Sequence, residues 1–326
     1  MSTSIARREF LAGMAAMSAA HAIPTFGATK YSNSPFRVAV INDEISQDFG
    51  HVCEVAARDF GMRWIELRSM WKKNIVSLDE KEVAEARRII EKNQLKVTDI
   101  ASPLFKVDWP GAPKSKFSEA KSFSAAFDWK QQDEVLERAI AMAKAFDTDR
   151  VRCFDFWRQE DQAPYRSAMN DKLREAAEKC GKSGLILVLE NEPACNTATG
   201  AEAARVLTAV QAPAFMLNWD PGNAAASGEI PYPDGYKLLP KDRIGHCHCK
   251  DVVKKGKKYD WAPMGAGLID WAGQFRALKQ DGYRFAVSLE THWNGGGSPE
   301  ESTRKSWAGM KKLLQQAGPL QLQRTT

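Results

Sequence analysis

The sequence predicts an α/β protein folded as a single-domain (β/α)8 TIM barrel. Eight short runs rich in β-branched and aromatic residues recur along the 326 residues, and stretches with helical period and strong helix formers separate most of them. No linker, internal repeat or shift of composition divides the chain, and 44% apolar residues suffice for one large core. An open doubly wound sheet shows the same alternation, so closure is an expectation that periodicity alone does not establish.

In order, the strand runs are RVAVIND (37–43), RWIELRS (63–69), LKVTDIAS (95–102), RVRCFDF (150–156), LILVLENE (185–192), FMLNWDP (215–221), IGHCHCKD (244–251) and FAVSLETH (285–292). Each ends in polar or small residues, as strands do when they pass into a loop. The helical stretches include DEKEVAEARRIIEKNQ from Asp79, QQDEVLERAIAMAKAF from Gln131, YRSAMNDKLREAAEKC from Tyr165 and DWAGQFRALKQDG from Asp270. Asp79 and Asp270 are expected as N-caps, whose short carboxylates satisfy free N–H groups, and Gly61 and Gly282 follow helical segments as C′ glycines do. The segment PYPDGYKLLPKD, between the sixth and seventh runs, is too short and proline-rich for more than a turn or two of helix.

The first residues differ from the rest. MSTSIARREFLAGMAAMSAAHA sets Arg7 and Arg8 before Phe10 and Leu11, then runs small and weakly apolar to Ala20, His21 and Ala22. This reads as a twin-arginine export signal over residues 1–28, with the barrel at 35–318 and a C-terminal tail at 319–326. The alternative is a basic amphipathic helix of the folded domain. A twin-arginine address implies a periplasmic protein exported already folded. The six cysteines, scattered along such a chain, are expected to be mostly buried free thiols.

Charge and hydropathy narrow the partners. The 46 basic and 41 acidic residues are interspersed, and the densest basic run, KKGKK at 254–258, reads as a solvated loop, which argues against a nucleic-acid partner. No segment reaches the roughly 18 apolar residues of a membrane span. Neither a nucleic acid nor a membrane is therefore an expected partner, and a homodimer is left open.

In such a barrel the chemistry lies where strands end and βα loops begin. The last four strand ends carry metal-capable side chains: Glu190 in LVLENEP, Asp220 in LNWDPGN, His246 and His248 in GHCHCKD, and Glu290 in VSLETHW. Three carboxylates and an imidazole make an oxygen-rich set suited to Mn²⁺, Mg²⁺ or Co²⁺. Strand alternation puts His246, His248 and Lys250 on one face and Cys247 and Cys249 on the other. Imidazole and ammonium groups are costly among apolar helix faces and thiols are not, so the histidines are expected inside the barrel and the cysteines outside. A Cys/His zinc cluster within the strand is thereby disfavoured.

LVLENEP, NWDPGNA, IGHCHCKD, the GAGLIDW turn and SLETHW, with EIS, IELR and IASPLFK in the first half, make nearly the whole chain after residue 28 resemble the sugar phosphate isomerase/epimerase superfamily of xylose-isomerase-like TIM barrels. The resemblance implies Glu190, Asp220, His248 and Glu290 as ligands of a divalent metal, Mn²⁺ first, with Mg²⁺, Co²⁺ or Zn²⁺ as alternatives. His248 is preferred to His246 because the family's ligand is the later histidine, before a step that CKD matches here. In the family's ketose epimerases the two glutamates also move protons, which implies catalytic roles for Glu190 and Glu290. A cation that chelates a carbonyl and its neighbouring hydroxyl stabilises an enediolate, so that a carboxylate can take the adjacent C–H proton at neutral pH.

Two departures from the family matter. Many relatives carry a histidine where this chain has Asn223, which can bind a sugar hydroxyl but not relay a proton. The epimerases' basic residue beyond the strand-seven histidine has no clear match in VVKKGKK. The expected function is a metal-dependent isomerase or epimerase acting on a non-phosphorylated keto sugar. A 3-keto-glycoside lyase working by β-elimination and a non-catalytic sugar-binding barrel are the alternatives; an endonuclease IV type phosphodiesterase lacks the histidines it needs. Further candidates for holding substrate are Asn223, His246, Lys250, Glu66, Arg68, Lys106, Arg152, Phe154 and Trp293, together with His292, also a candidate to support Glu290.

Overall fold

Each β-branched run yields a strand of the barrel, shorter than the run because its polar end turns into the loop that follows. The computed structural model describes residues 36–118 and 127–318. The expected export signal at 1–28 and the tail at 319–326 lie outside the described residues. The strands are β1 (Arg37–Val40), β2 (Trp64–Leu67), β3 (Lys96–Leu104), β4 (Arg150–Cys153), β5 (Ile186–Glu190), β6 (Phe215–Trp219), β7 (Ile244–Cys249) and β8 (Ala286–Leu289). They form one parallel eight-stranded sheet in the order β1-β8-β7-β6-β5-β4-β3-β2. Between β1 and β2 the ladder narrows to one parallel bridge, Ile41 to Glu66, so the barrel is nearly closed.

Helices α1 (Phe49–Glu54), α2 (Glu80–Lys92), α3 (Gln132–Ala145), α4 (Arg166–Lys182), α5 (Gly200–Ala209), α6 (Pro221–Ala226), α7 (Trp271–Gln280) and α8 (Pro299–Ala317) lie between and after the strands. Asp79 accepts from the N–H of Glu82, whose side chain returns the bond, forming a complete capping box. Asp270 accepts from Gly273 N–H at the start of α7. Gly61 and Gly282 take the left-handed conformation expected of them, with φ of 68° and 75°. Between β6 and β7 the helical element is slight, as the prolines require: the six-residue α6, then turns through Pro231–Leu238.

The KKGKK segment departs from the expected loop. It is the tip of an antiparallel hairpin, Asp251–Lys255 paired with Lys258–Ala262, turning on Gly256 with φ of 62°. A glycine at the first position of a two-residue hairpin supplies the backbone that right-twisted strands need. Val252 and Val253 on one strand and Tyr259 and Trp261 on the other flank the lysine-rich turn, a pattern that charge had masked.

Alternation on β7 follows the expectation. Cys247 and Cys249 are fully buried within the apolar cluster that holds Tyr236, Trp271 and Phe275. His246 and His248 are equally buried but contact the interior side chains Glu66 and Asn218. All six cysteines are free and buried.

Candidate metal centre and active site

Four side chains from consecutive strand ends converge on one point. Glu190 closes β5, Asp220 follows β6, His248 lies on β7 and Glu290 follows β8. One ligand atom from each falls within 4.8 Å of all the others, and all four residues are buried. Nδ1 of His248 lies 3.4 Å from Glu190 Oε1, 3.7 Å from Asp220 Oδ2 and 3.3 Å from Glu290 Oε2.

The atoms at this point fit a divalent cation. Nδ1 of His248 is buried without a hydrogen bond, a costly state that coordination would relieve, whereas Oδ2 of Asp220 is paired with Lys250 Nζ at 2.8 Å. The local backbone leaves Asp220 Oδ2 facing the same point: Asp220 caps α6, with Oδ1 accepting from Asn223 N–H at 2.8 Å and Pro221 at the first helical position. Three carboxylates and one imidazole would hold an oxygen-preferring ion, with Zn²⁺ also compatible.

The two glutamates are held anionic. Burial disfavours charge on Glu190, yet His248 and Arg152 bring its pKa below the ordinary carboxylate range. Burial acts likewise on Glu290, and Lys250, His292 and His248 hold it well below that range. Burial also opposes charge on His248, but Glu66, Glu190 and Glu290 push its imidazole well up. That negative field attracts a cation.

Hydrogen bonds orient both glutamates. Arg152 Nη1 donates to Glu190 Oε2 at 3.0 Å, and Asn223 Nδ2 donates to Glu190 Oε1 at 3.2 Å and to the carbonyl of Asn191 at 2.8 Å. Arg68 Nη1 donates to Glu290 Oε1 at 2.7 Å while its other nitrogens pair with Asp43 and Glu44. Lys250 Nζ donates to Glu290 Oε2 and lies 2.8 Å from Asp220 Oδ2. His292 Nε2 lies 3.3 Å from Glu290 Oε1.

A cavity of about 260 Å³ opens onto this cluster, lined by Arg68, Lys106, Arg152, Phe154, Glu190 and Glu290, with Asp43, Glu192 and His292 among the remainder. Phe154 is gripped by two cations, Lys106 Nζ 4.3 Å and the Arg152 guanidinium 4.7 Å from its ring centre. A larger groove between Val76 and Arg138 lies apart from the cluster and shares none of its residues. Phe105, Phe156 and His292, each just past a strand, hold positive φ of 64°, 55° and 47°, the strained backbone that accumulates at functional sites.

Several sequence candidates lie elsewhere than expected. Glu66 and His246 are buried beneath His248, off the cavity lining: Glu66 Oε1 is 2.9 Å from His248 Nε2, and Glu66 Oε2 is 3.5 Å from His246 Nε2. Their side chains share the interior face with His248, which is why they read as pocket residues, but the barrel floor covers them. Burial opposes the charge of Glu66, but His248 and His246 lower its pKa to about 2. Trp293 turns away to α8, where Lys305 Nζ sits 5.8 Å over its ring.

Residues that the sequence did not single out complete the site. Asn218 on β6 is in register with Glu190 and His246, and its amide bridges the two histidines. Trp261, carried in by the hairpin, has its ring 5.2 Å from that of His292 and 5.2 Å from Lys250 Nζ. Asp251, the acid of the CKD step, anchors the GAGLIDW turn by accepting from Gly265 and Gly267 N–H. At Gly267 a Cβ would lie 2.1 Å from Asp251 Oδ1, so only glycine permits this approach.

A family model described as xylose isomerase-like TIM barrel matches residues 55–313. The chain belongs to that family. Among curated proteins, L-ribulose-5-phosphate 3-epimerase UlaE of Escherichia coli is 24% identical over 192 residues, 57% of this chain and 64% of the relative, so the chain spans somewhat under two thirds of that relative's length. Among solved structures of this barrel type, the IOLI protein with a bound zinc atom superposes at a TM-score of 0.69 with 16% identity, over 87% of this chain and 100% of the other. The 3-keto-D-glucoside 4-epimerase YcjR of E. coli superposes at 0.62 with 15% identity, over 85% and 99%. At such identities the structural likeness speaks for the fold.

Proposed function

We propose that the protein is a divalent-metal-dependent isomerase or epimerase acting on a non-phosphorylated keto sugar or sugar derivative. The observation that carries this reading is that Glu190 and Glu290 both line the cavity while each presents an oxygen to Nδ1 of His248, at 3.4 and 3.3 Å. Two anionic carboxylates thereby flank a metal-capable point at the cavity wall. The curated epimerase similar to this chain supports the reaction class.

Glu190, Asp220, His248 and Glu290 would hold the cation, with Mn²⁺ the first candidate for an oxygen-rich set. When bound, it supplies electrophilic polarisation to a carbonyl and its neighbouring hydroxyl, so that the adjacent C–H becomes acidic. The protein's part is proton transfer. One glutamate takes the proton from the substrate carbon, and the other returns a proton to the same carbon from the opposite face, inverting it. Arg152 and Asn223 hold Glu190 in place, and Arg68, Lys250 and His292 hold Glu290. Phe154 and Trp261 offer aromatic faces to the C–H side of a sugar ring.

An uncharged sugar suits the cavity better than a phosphorylated one. Each cation of the lining already faces a carboxylate: Arg68 has Asp43, Glu44 and Glu290, Lys106 has Glu192, and Arg152 has Glu190. The twin-arginine pattern at Arg7 and Arg8 fits a periplasmic enzyme that meets free sugars or glycosides. Replacing both with lysine should leave the protein in the cytoplasm on cell fractionation.

A second reading, cleavage of a 3-keto-glycoside by β-elimination, draws on Lys250, whose buried ammonium beside Glu290 could protonate a departing oxygen. A panel of keto sugars in deuterated buffer with Mn²⁺ separates the two. Deuterium at one carbon without loss of a group supports epimerisation, and release of an aglycone supports elimination. Neither result, with Glu190→Gln and Glu290→Gln indistinguishable from the parent, would leave a sugar-binding barrel.

A further inference from the structure

We infer that Glu66, His246 and Asn218 form a positioning layer beneath the metal centre, which locks His248 as the Nε2–H tautomer and so keeps the lone pair of Nδ1 aimed at Glu190, Asp220 and Glu290. The inference rests on the metal-site reading given above and adds residues that do not touch the cavity.

The argument is an accounting of protons among four fully buried side chains, where no solvent can substitute for a missing partner. A neutral imidazole carries one N–H. Nε2 of His248 lies 2.9 Å from Glu66 Oε1, and a carboxylate oxygen at that distance requires a donor. In the neutral ring that a bound ion requires, the proton of His248 is therefore on Nε2, and Nδ1, 3.4, 3.7 and 3.3 Å from Glu190, Asp220 and Glu290, is the atom left to face the ion.

Asn218 carries the assignment to the second ring. One end of its amide lies 3.1 Å from His248 Nε2 and the other 3.2 Å from His246 Nδ1. The structure sets Nδ2 of Asn218 at His248 and Oδ1 at His246, but carboxamide oxygen and nitrogen are assigned from the hydrogen-bond network, so a proton on His248 Nε2 turns the amide over, with its oxygen at His248 and its NH₂ at His246 Nδ1. His246 then accepts on Nδ1 and carries its own proton on Nε2, which faces Glu66 Oε2 at 3.5 Å. Neither of those two atoms has a hydrogen-bond partner. One carboxylate thus faces both Nε2 atoms, hydrogen-bonded to that of His248 and 3.5 Å from that of His246. The strands enforce the arrangement, because Asn218 is in register with His246 and the Glu66 end of β2 lies across the barrel from β7. Partners of this kind hold a ligating ring in orientation and raise its basicity, and losing one typically costs about 10- to 100-fold in metal affinity.

Two measurements on the full-length protein test this. In ¹⁵N imidazole spectra of the zinc-loaded protein, His246 and His248 should both show Nε2–H, with Nδ1 of His248 metal-bound; a proton on Nδ1 of His248 overturns the inference without any variant. In calorimetric titration with Mn²⁺, Glu66→Gln should bind about 10- to 100-fold more weakly, since an amide offers one acceptor to two N–H groups. A residue that merely fills space would lower the melting temperature and leave that affinity unchanged, and this result overturns the proposal. Parent protein that binds no divalent ion overturns the metal-site reading as well, whereas binding in the parent with equal affinity in Glu66→Gln overturns this inference alone.

Discussion

Arg152 donates Nη1 to Oε2 of Glu190 at 3.0 Å, with both side chains almost wholly withdrawn from solvent at the mouth of the barrel. A buried pair of this kind is costly to break, because the survivor is left as an uncompensated charge. Arg152→Met should therefore destabilise the fold by about 3–5 kcal/mol, measured by denaturant unfolding without added metal. Adding Glu190→Gln should recover part of that loss. Additive losses in the double-mutant cycle would show that the two groups are not coupled.

Lys250 places its ammonium on two of the carboxylates that face His248, Asp220 and Glu290. Its charge opposes that of any divalent ion held there. Lys250→Met should lower the melting temperature in chelator, since the acidic cluster loses its counter-charge, and should tighten Mn²⁺ binding by about tenfold or more. Fluorimetry with and without Mn²⁺ checks both arms. Weaker metal binding in the variant would contradict this electrostatic account.

Trp261 reaches the site only because its hairpin folds over His292 and Lys250. If its ring stacks on a sugar, Trp261→Ala should raise KM by about 2- to 12-fold with kcat little changed, the equivalent of about 0.5–1.5 kcal/mol of aromatic contact. Steady-state kinetics on the substrate found in the exchange assay decides it. A fall in kcat alone would instead assign the ring to ordering the proton-transfer groups.

Asp99 lies inside the barrel with neither oxygen hydrogen-bonded, and burial, then the nearby charge of Glu66, pushes its pKa up to about 8. An unfolded aspartate titrates near ~3.9. Below that pH the group is protonated in both states and costs nothing. Between about pH 4 and 8 only the unfolded chain releases the proton, so stability declines through this window and levels off above it. Asp99→Asn should flatten that decline and make the protein more stable than the parent at pH 8, as measured by urea unfolding across the range. An unchanged pH profile would assign the decline to other groups.

How much of this was legible in the chain varies residue by residue. Glu190, Asp220, His248 and Glu290 could be picked out because strands end in polar residues at the barrel mouth, and their convergence needs only strand order and closure. The inward turn of the histidines and the outward turn of Cys247 and Cys249 follow from the two-residue period of a strand. The hairpin at 251–262 was obscured because lysines dominate its turn, although valines precede them and aromatic residues follow.

The sequence by itself determined the strand and helix order, the caps at Asp79 and Asp270, the family and the four side chains able to meet at one ion. These depend on local period and on motifs a few residues long. Tertiary structure alone decided depth: that Glu66 and His246 sit beneath His248 while Glu190 and Glu290 reach the cavity, that Asn218 bridges two rings, and that Trp261 arrives while Trp293 departs. Period reports which face a side chain takes. Its height along the barrel axis depends on strand stagger and loop packing, which are set by contacts between residues far apart in the chain.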